Sequence, residues 1–208
     1  MAPVTHGNKP PLFIPHTYSR GDSELGTVEN RFGERLAALP MPFLQGIGDG
    51  LLAEIGQASP LVLTSCGRHW GERFYQRFSQ EMERHYGRPL AQLDMATCIQ
   101  DLHLAWAAHG WGLLSLDFSW AGHGYLVIHW DNSFWHEGED LEGCLEQGLL
   151  VRFFSLFTGQ TLACVQTQKG MEKRFVLGLA DRLAPIQEGV SAGRPHRAIL
   201  SQLESSRR

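Results

Sequence analysis

The stretch Leu102-His-Leu-Ala-Trp106-Ala-Ala-His109-Gly110-Trp111-Gly112-Leu-Leu-Ser-Leu116-Asp117 carries two periodicities, one after the other. Up to His109 the apolar residues Leu93, Cys98, Leu102 and Trp106 recur at steps near four, the spacing of one helix face. After Gly112, Leu114, Leu116 and Phe118 alternate with Leu113, Ser115 and Asp117, the period of a strand. The chain therefore passes from helix to sheet at this point, with Gly110 as the helix stop.

Working outward, Trp70, Phe74, Phe78 and Met82 follow at steps of four and predict a helix over 61–86, ended by Gly87 and Pro89. The next helix runs from about Leu90 to His109. Between Pro42 and Gln57, Phe43, Leu44, Ile47, Leu51, Leu52 and Ile55 make a weaker helix. Gly46, Gly48 and Gly50 lower its propensity, and could let another backbone approach closely. Downstream, Ala121-Gly-His-Gly124 has turn chemistry, and Leu126, Ile128 and Trp130 alternate as a returning strand. An acidic start at 137–140 then opens a helix with Leu141, Leu145, Leu149, Leu150, Phe153, Phe154 and Phe157, capped by Gly159. A second hairpin covers 161–168 and 172–179, turning at Lys169-Gly170. The expected fold class is α+β, with helices packed on one face of an antiparallel sheet made of two hairpins.

The 208 residues suit one domain with a single core. Residues 1–40, with Pro3, Pro10, Pro11, Pro15 and Pro40, read as a flexible arm, or as one that docks on a neighbouring subunit through Leu12, Phe13 and Ile14. Residues 41–182 form the domain, and 183–208 a tail with one short amphipathic turn at Ala198 to Leu203. A net charge of −4, with scattered cations, excludes nucleic acid as an expected partner. Cys66, Cys98, Cys144 and Cys164 stand too far apart for ligand pairs and read as reduced core cysteines. No signal-peptide pattern and no run of roughly 20 apolar residues is present, so no membrane span is expected. The expected compartment is the cytoplasm, with the periplasm left open.

The segment Ile99 to Asp117 resembles the D-type accessory proteins of bacterial cellulose synthase, a family in which a helix leads into a Trp-Gly-x-x-x-Leu-Asp strand; here the motif is Trp111, Gly112, Leu116 and Asp117. Gly71, Arg73, Phe74, the strand end Ile128-His129, and Gly148, Arg152 and Phe153 follow in matching order. The resemblance implies a non-catalytic homo-oligomer, an octamer, that guides export or crystalline packing of glucan chains. Its implied partners are the glucan chain and other cellulose synthase subunits, including a proline-rich accessory protein. More distantly, Leu156 to Leu162 and Gly170 with Arg174-Phe175-Val176 resemble vinyl-reductase-like (V4R) ligand-sensing domains. Zinc-binding members of that family carry several cysteines around the final hairpin, whereas this chain has Cys164 alone there and Lys173 where a cysteine is expected, so no metal is expected.

The chemistry-bearing residues are few. His123, His129, Asp131 and His136 could form a metal or general-base site, but hairpin histidines beside tryptophans more often pack or hydrogen-bond. Ser65, Cys66, His69 and Asp101 lack a nucleophile elbow, and no cofactor or catalytic residue is expected. Trp106, Trp111, Trp120, Trp130 and Trp135 suit core packing, subunit contact or sugar stacking. The candidate glucan or interface residues are Trp111, Ser115, Asp117, Trp120, His129 and Trp135. For the ligand-sensing alternative, the deciding feature is a closed apolar pocket of several hundred cubic ångströms between the helices and the sheet, which a solid core would remove.

Overall fold

The structure is a computed structural model and describes residues 9–133 and 141–205. Its centre is α3 (Ser59–Tyr86), which buries Leu63, Gly67, Phe74, Phe78 and Met82 along one stripe and stops at Gly87. Packed beside it is α5 (Cys144–Thr158), which starts after Gly143 and is closed by Gly159. The acidic start expected at 137–140 lies outside the described residues. The helix expected from Leu90 is split: Leu90–Gln92 is a short 3-10 turn, and α4 (Met95–Ala108) begins where the Asp94 carboxylate accepts the Thr97 N–H at 2.8 Å.

The main sheet has strands β4 (Leu113–Asp117), β5 (Tyr125–Asp131), β6 (Ala163–Gln168) and β7 (Glu172–Gly178) in the order β4-β5-β7-β6, all antiparallel. It is two hairpins joined side by side, so the fold class is α+β as the two periodicities indicated. The face carrying Leu114, Ile128, Trp130, Phe175 and Leu177 closes the large core with α3, α4 and α5. On the opposite face Tyr125, Val127, Val165 and Val176 form a second, smaller core. That core is closed by α6 (Ala184–Ser191) and α7 (His196–Ser205), through Leu183, Ile186, Ile199 and Leu200. Residues 183–205 are thus a packed layer, where a tail was expected.

Residues 9–40 of the expected arm are folded as well. They form a short turn α1 (Pro15–Tyr18) and a three-stranded antiparallel sheet, β1 (Ser19–Asp22), β2 (Thr27–Asn30) and β3 (Arg35–Leu36), followed by α2 (Met41–Ile55). Leu12, Phe13 and Tyr18 are buried. They dock on this chain's own α3 and α4, Phe13 stacking on Phe78 at 5.4 Å, and not on a neighbouring subunit.

Polar anchoring explains why a proline-rich segment packs at all. Ahead of α1 the backbone of residues 9–13 belongs to no helix or strand, and its buried N–H groups need partners. Asp101 of α4 supplies one carboxylate oxygen to the N–H groups of Leu12 (2.6 Å) and Phe13 (3.3 Å), and its other oxygen to the Tyr86 hydroxyl at 2.6 Å. Glu81 of α3, fully buried, accepts from the Tyr18 hydroxyl at 3.1 Å and the Asn30 amide at 3.0 Å.

Candidate ligand cavity

Where the N-terminal sheet lies across α3, the two do not close against each other. A cavity of about 740 Å³ remains, within the usual volume range for small-molecule sites but half open to solvent where a closed pocket was expected. Its aromatic wall is Trp70 and Phe74 of α3 with Trp111, and its aliphatic wall includes Leu36, Leu39 and Leu44 from β3 to α2.

Trp111 is held in that wall by local backbone geometry. Gly112 has a φ of 97°, and a Cβ there would lie 2.4 Å from the Asp131 carbonyl oxygen, so only glycine permits this approach to the end of β5. The Trp111 carbonyl accepts the indole N–H of Trp130 at 2.6 Å. The Trp-Gly pair therefore ties the end of α4 to the main sheet and leaves the Trp111 ring edge-on to Trp70, centroids 4.7 Å apart.

His109 completes the inner end. Its Nδ1 donates to the Ala105 carbonyl at 2.6 Å, which leaves Nε2 as the acceptor for the Arg77 guanidinium. Burial, reinforced by the Arg77 charge, pushes its pKa down to about 4, so the ring is neutral. It lies against Trp111 at 4.8 Å and Tyr18 at 5.1 Å. Arg77 also faces Glu81 at 3.5 Å. Burial raises the Glu81 pKa, with Arg77 opposing, and burial raises that of Tyr18 above its ordinary value. Exposed Arg73, one turn before Arg77, lines the cavity as well.

Of the candidates read from sequence, Trp111 lines this cavity. Ser115, Asp117 and His129 share the sheet face turned away from α3, Ser115 directly opposite His129 in the β4–β5 register. There His129 lies 6.3 Å from the ring of His196 on α7, whose Nδ1 bonds the Thr167 hydroxyl at 2.7 Å. Burial lowers the pKa of His129, and brings that of His196 down to about 4 with help from His129 and Arg174. The Asp117 carboxylate is held below its ordinary range by Ser119, whose N–H it accepts at 2.8 Å. Trp120 is half-buried against the second core. Trp135 and His136 lie outside the described residues.

Other proposed chemistry is not brought together. Asp131 pairs with Arg174 at 2.5 Å, and Asp101 anchors the N-terminal backbone. Among the described residues no three His, Cys, Asp or Glu side chains gather as metal ligands. Lys173 is fully buried in an ion pair with Glu146, which also accepts the Ser133 hydroxyl at 3.2 Å. A donor-only ammonium does not fit a zinc site at that position.

Sequence reading assigned Trp70 and Phe74 to the core and gave Arg77 and His109 no role. The available signal was spacing: Arg73 and Arg77 are four apart and flank Phe74, as Trp70 does one turn earlier, so cations and rings share one side of α3.

No family model matches this sequence, and no curated protein matches it. Among solved structures, the phenol-responsive sensory domain of the transcription activator PoxR, determined with phenol, aligns with a TM-score of 0.60. The alignment covers 87% of this chain and 94% of that one at 15% identity. The two share a fold. A trafficking protein particle complex subunit 3 from Naegleria fowleri, covalently bound to palmitic acid, aligns with a TM-score of 0.44 at 11% identity, over 67% of this chain and 94% of that one.

Proposed function

We propose that this chain is a non-enzymatic sensing module that holds a small apolar molecule between its N-terminal sheet and α3. The observation that carries this is the cavity of about 740 Å³ walled by Trp70, Phe74 and Trp111. A solid core at this place would have left no room for a ligand. The fold shared with a phenol-responsive domain supports the same reading. Because the outer wall belongs to the N-terminal sheet, a ligand would add contacts between that sheet and α3 and so tighten their hold on each other.

Thermal denaturation with a panel of aromatic compounds tests this. A ligand at a hundred times its Kd is expected to stabilise the fold by about 2.7 kcal/mol. Ala38→Trp, which fills the cavity from an exposed wall position, is expected to abolish that rise. A panel that leaves Tm unchanged throughout, or an equal rise in Ala38→Trp, would remove the proposal.

A second reading, the oligomeric accessory protein of cellulose secretion, is favoured by a different observation. Phe43, Ile47, Leu52 and Ile55 of α2 and Leu61 of α3 are exposed, Phe43 by 53% and Leu61 by 75%. Exposed apolar residues grouped in this way suit a contact between subunits. Light scattering on the purified chain separates the two: a closed assembly near eight times 23.3 kDa supports the accessory protein, and a monomer at micromolar concentration removes it.

A further inference from the structure

Resting on the cavity reading above, we infer that the occupant is an apolar carboxylate, its anionic head toward Arg73 and Arg77 and its apolar body against Trp70, Phe74 and Trp111. The charge inventory of the walls carries this. Two guanidinium groups line the cavity, and no Asp or Glu is among its lining residues. Glu81 matches part of the Arg77 charge from behind, at 3.5 Å, while also holding Tyr18 and Asn30. Arg73 has no acidic partner among the described residues, since the neighbouring Glu72 pairs with Arg152 at 3.0 Å. His109 adds no charge, because its ring is neutral and both nitrogens are engaged, one of them by Arg77.

The geometry also favours a carboxylate over other polar heads. Arg77 lies 6.0 Å above the Phe74 ring, which places a cation at the edge of the aromatic wall. A planar guanidinium offers paired N–H groups that match the two oxygens of a carboxylate, and such pairs strengthen when the ligand's body excludes water. A cationic ligand would meet two like charges with no counter-charge on the walls. A neutral one could accept a hydrogen bond from Arg73 but would not gain the stronger, charge-assisted pairing of two oxygens.

Titration calorimetry of the full chain with naphthoate and with uncharged naphthamide tests the inference. Naphthoate is expected to bind on the order of tenfold more tightly than naphthamide, the difference a charge-assisted hydrogen bond makes. Added salt should weaken the acid alone. Arg73→Gln is expected to weaken naphthoate far more than naphthamide and so to remove most of the preference, and Arg73→Lys to retain part of it. If naphthamide binds the native chain as well as naphthoate does, or if Arg73→Gln keeps the full preference, the inference is overturned while the cavity reading stands. Binding of neither compound would overturn both.

Discussion

The helix α3 meets two neighbours in opposite ways. Against α5 the contact is backbone to backbone: a Cβ at Gly148 would lie 2.1 Å from the Thr64 carbonyl oxygen, and one at Gly67 would lie 2.1 Å from that of Leu145. Such a contact has no slack, and the Glu72–Arg152 pair ties the same two helices at 3.0 Å. Against the N-terminal segment, α3 makes ring contacts and buried polar anchors through Phe13 and Tyr18, with a cavity between α3 and the sheet that follows. One interface is rigid because nothing in it can give. The other leaves space between its parts, and the expectation to test is that it opens below the global unfolding free energy. The cavity lies between the α3–α5 pair and this looser wall.

Filling the tight interface should break this contrast most severely. Gly148→Val places carbon atoms inside the α3 backbone, and is expected to cost about 4 kcal/mol or more and to abolish the cooperative thermal transition seen by circular dichroism. Gly46→Ala is the control: a Cβ at Gly46 meets nothing within 4 Å, and the helix α2 should gain about 0.5–1 kcal/mol. A native-like melt for Gly148→Val would mean that α3 and α5 can shift apart, and the rigid half of the comparison would fall.

Loosening the polar anchors should act on the other half only. Asp101→Ala leaves the Leu12 and Phe13 amides and the Tyr86 hydroxyl without their acceptor, at a cost of about 2–4 kcal/mol. The loss is expected to be local. Limited proteolysis should cut within residues 9–40 while α3, α5 and the main sheet remain intact. Uniform loss of protection across the chain would show that the N-terminal unit is not separable.

What the sequence showed and what it hid divide along the same line. The rigid half is legible because α3, α5 and the two hairpins are long enough to display their periods, and Gly87 and Gly159 mark the helix ends. The N-terminal sheet is not. Its strands are four, four and two residues long, and β1 is exposed throughout, so no alternation builds up. The local signal there was turn chemistry, the Asp22 carboxylate accepting the Glu24 and Leu25 N–H groups ahead of Gly26. The segment's burial depends on Asp101, distant in sequence, which no local pattern encodes. Close backbone approach was left open at Gly46, Gly48 and Gly50; a Cβ at Gly46 or Gly50 meets nothing within 4 Å, whereas one at Gly67, Gly71 or Gly148 meets the facing helix backbone, where a strong helical stripe made the glycines look incidental. A cavity has no sequence signature at all: Trp70 and Phe74 sit on α3 like core residues, and only a second element that fails to close over them makes them walls.

The mildest perturbation of the comparison is pH, acting through His109 where the two halves meet. The folded ring has a pKa of about 4, against an ordinary value of 6.5. As pH falls through this window the unfolded chain takes up a proton that the folded chain refuses, so His109 contributes less stability at lower pH. Glu81 acts with the opposite sign, because burial raises its folded pKa and protonation there favours the folded state. Comparing the native chain with His109→Gln isolates the first group, since both keep Glu81. The native chain is expected to be the more stable at about pH 7.5, and its advantage should shrink by about 1–2 kcal/mol on acidification to about pH 5. Amide exchange should quicken first in residues 12–36, where Tyr18 and Phe13 rest on the His109 ring, and last at the α3–α5 contact. Parallel stability curves for the two proteins would mean that the ring is not held neutral, and that acid loosens the N-terminal wall through some other group.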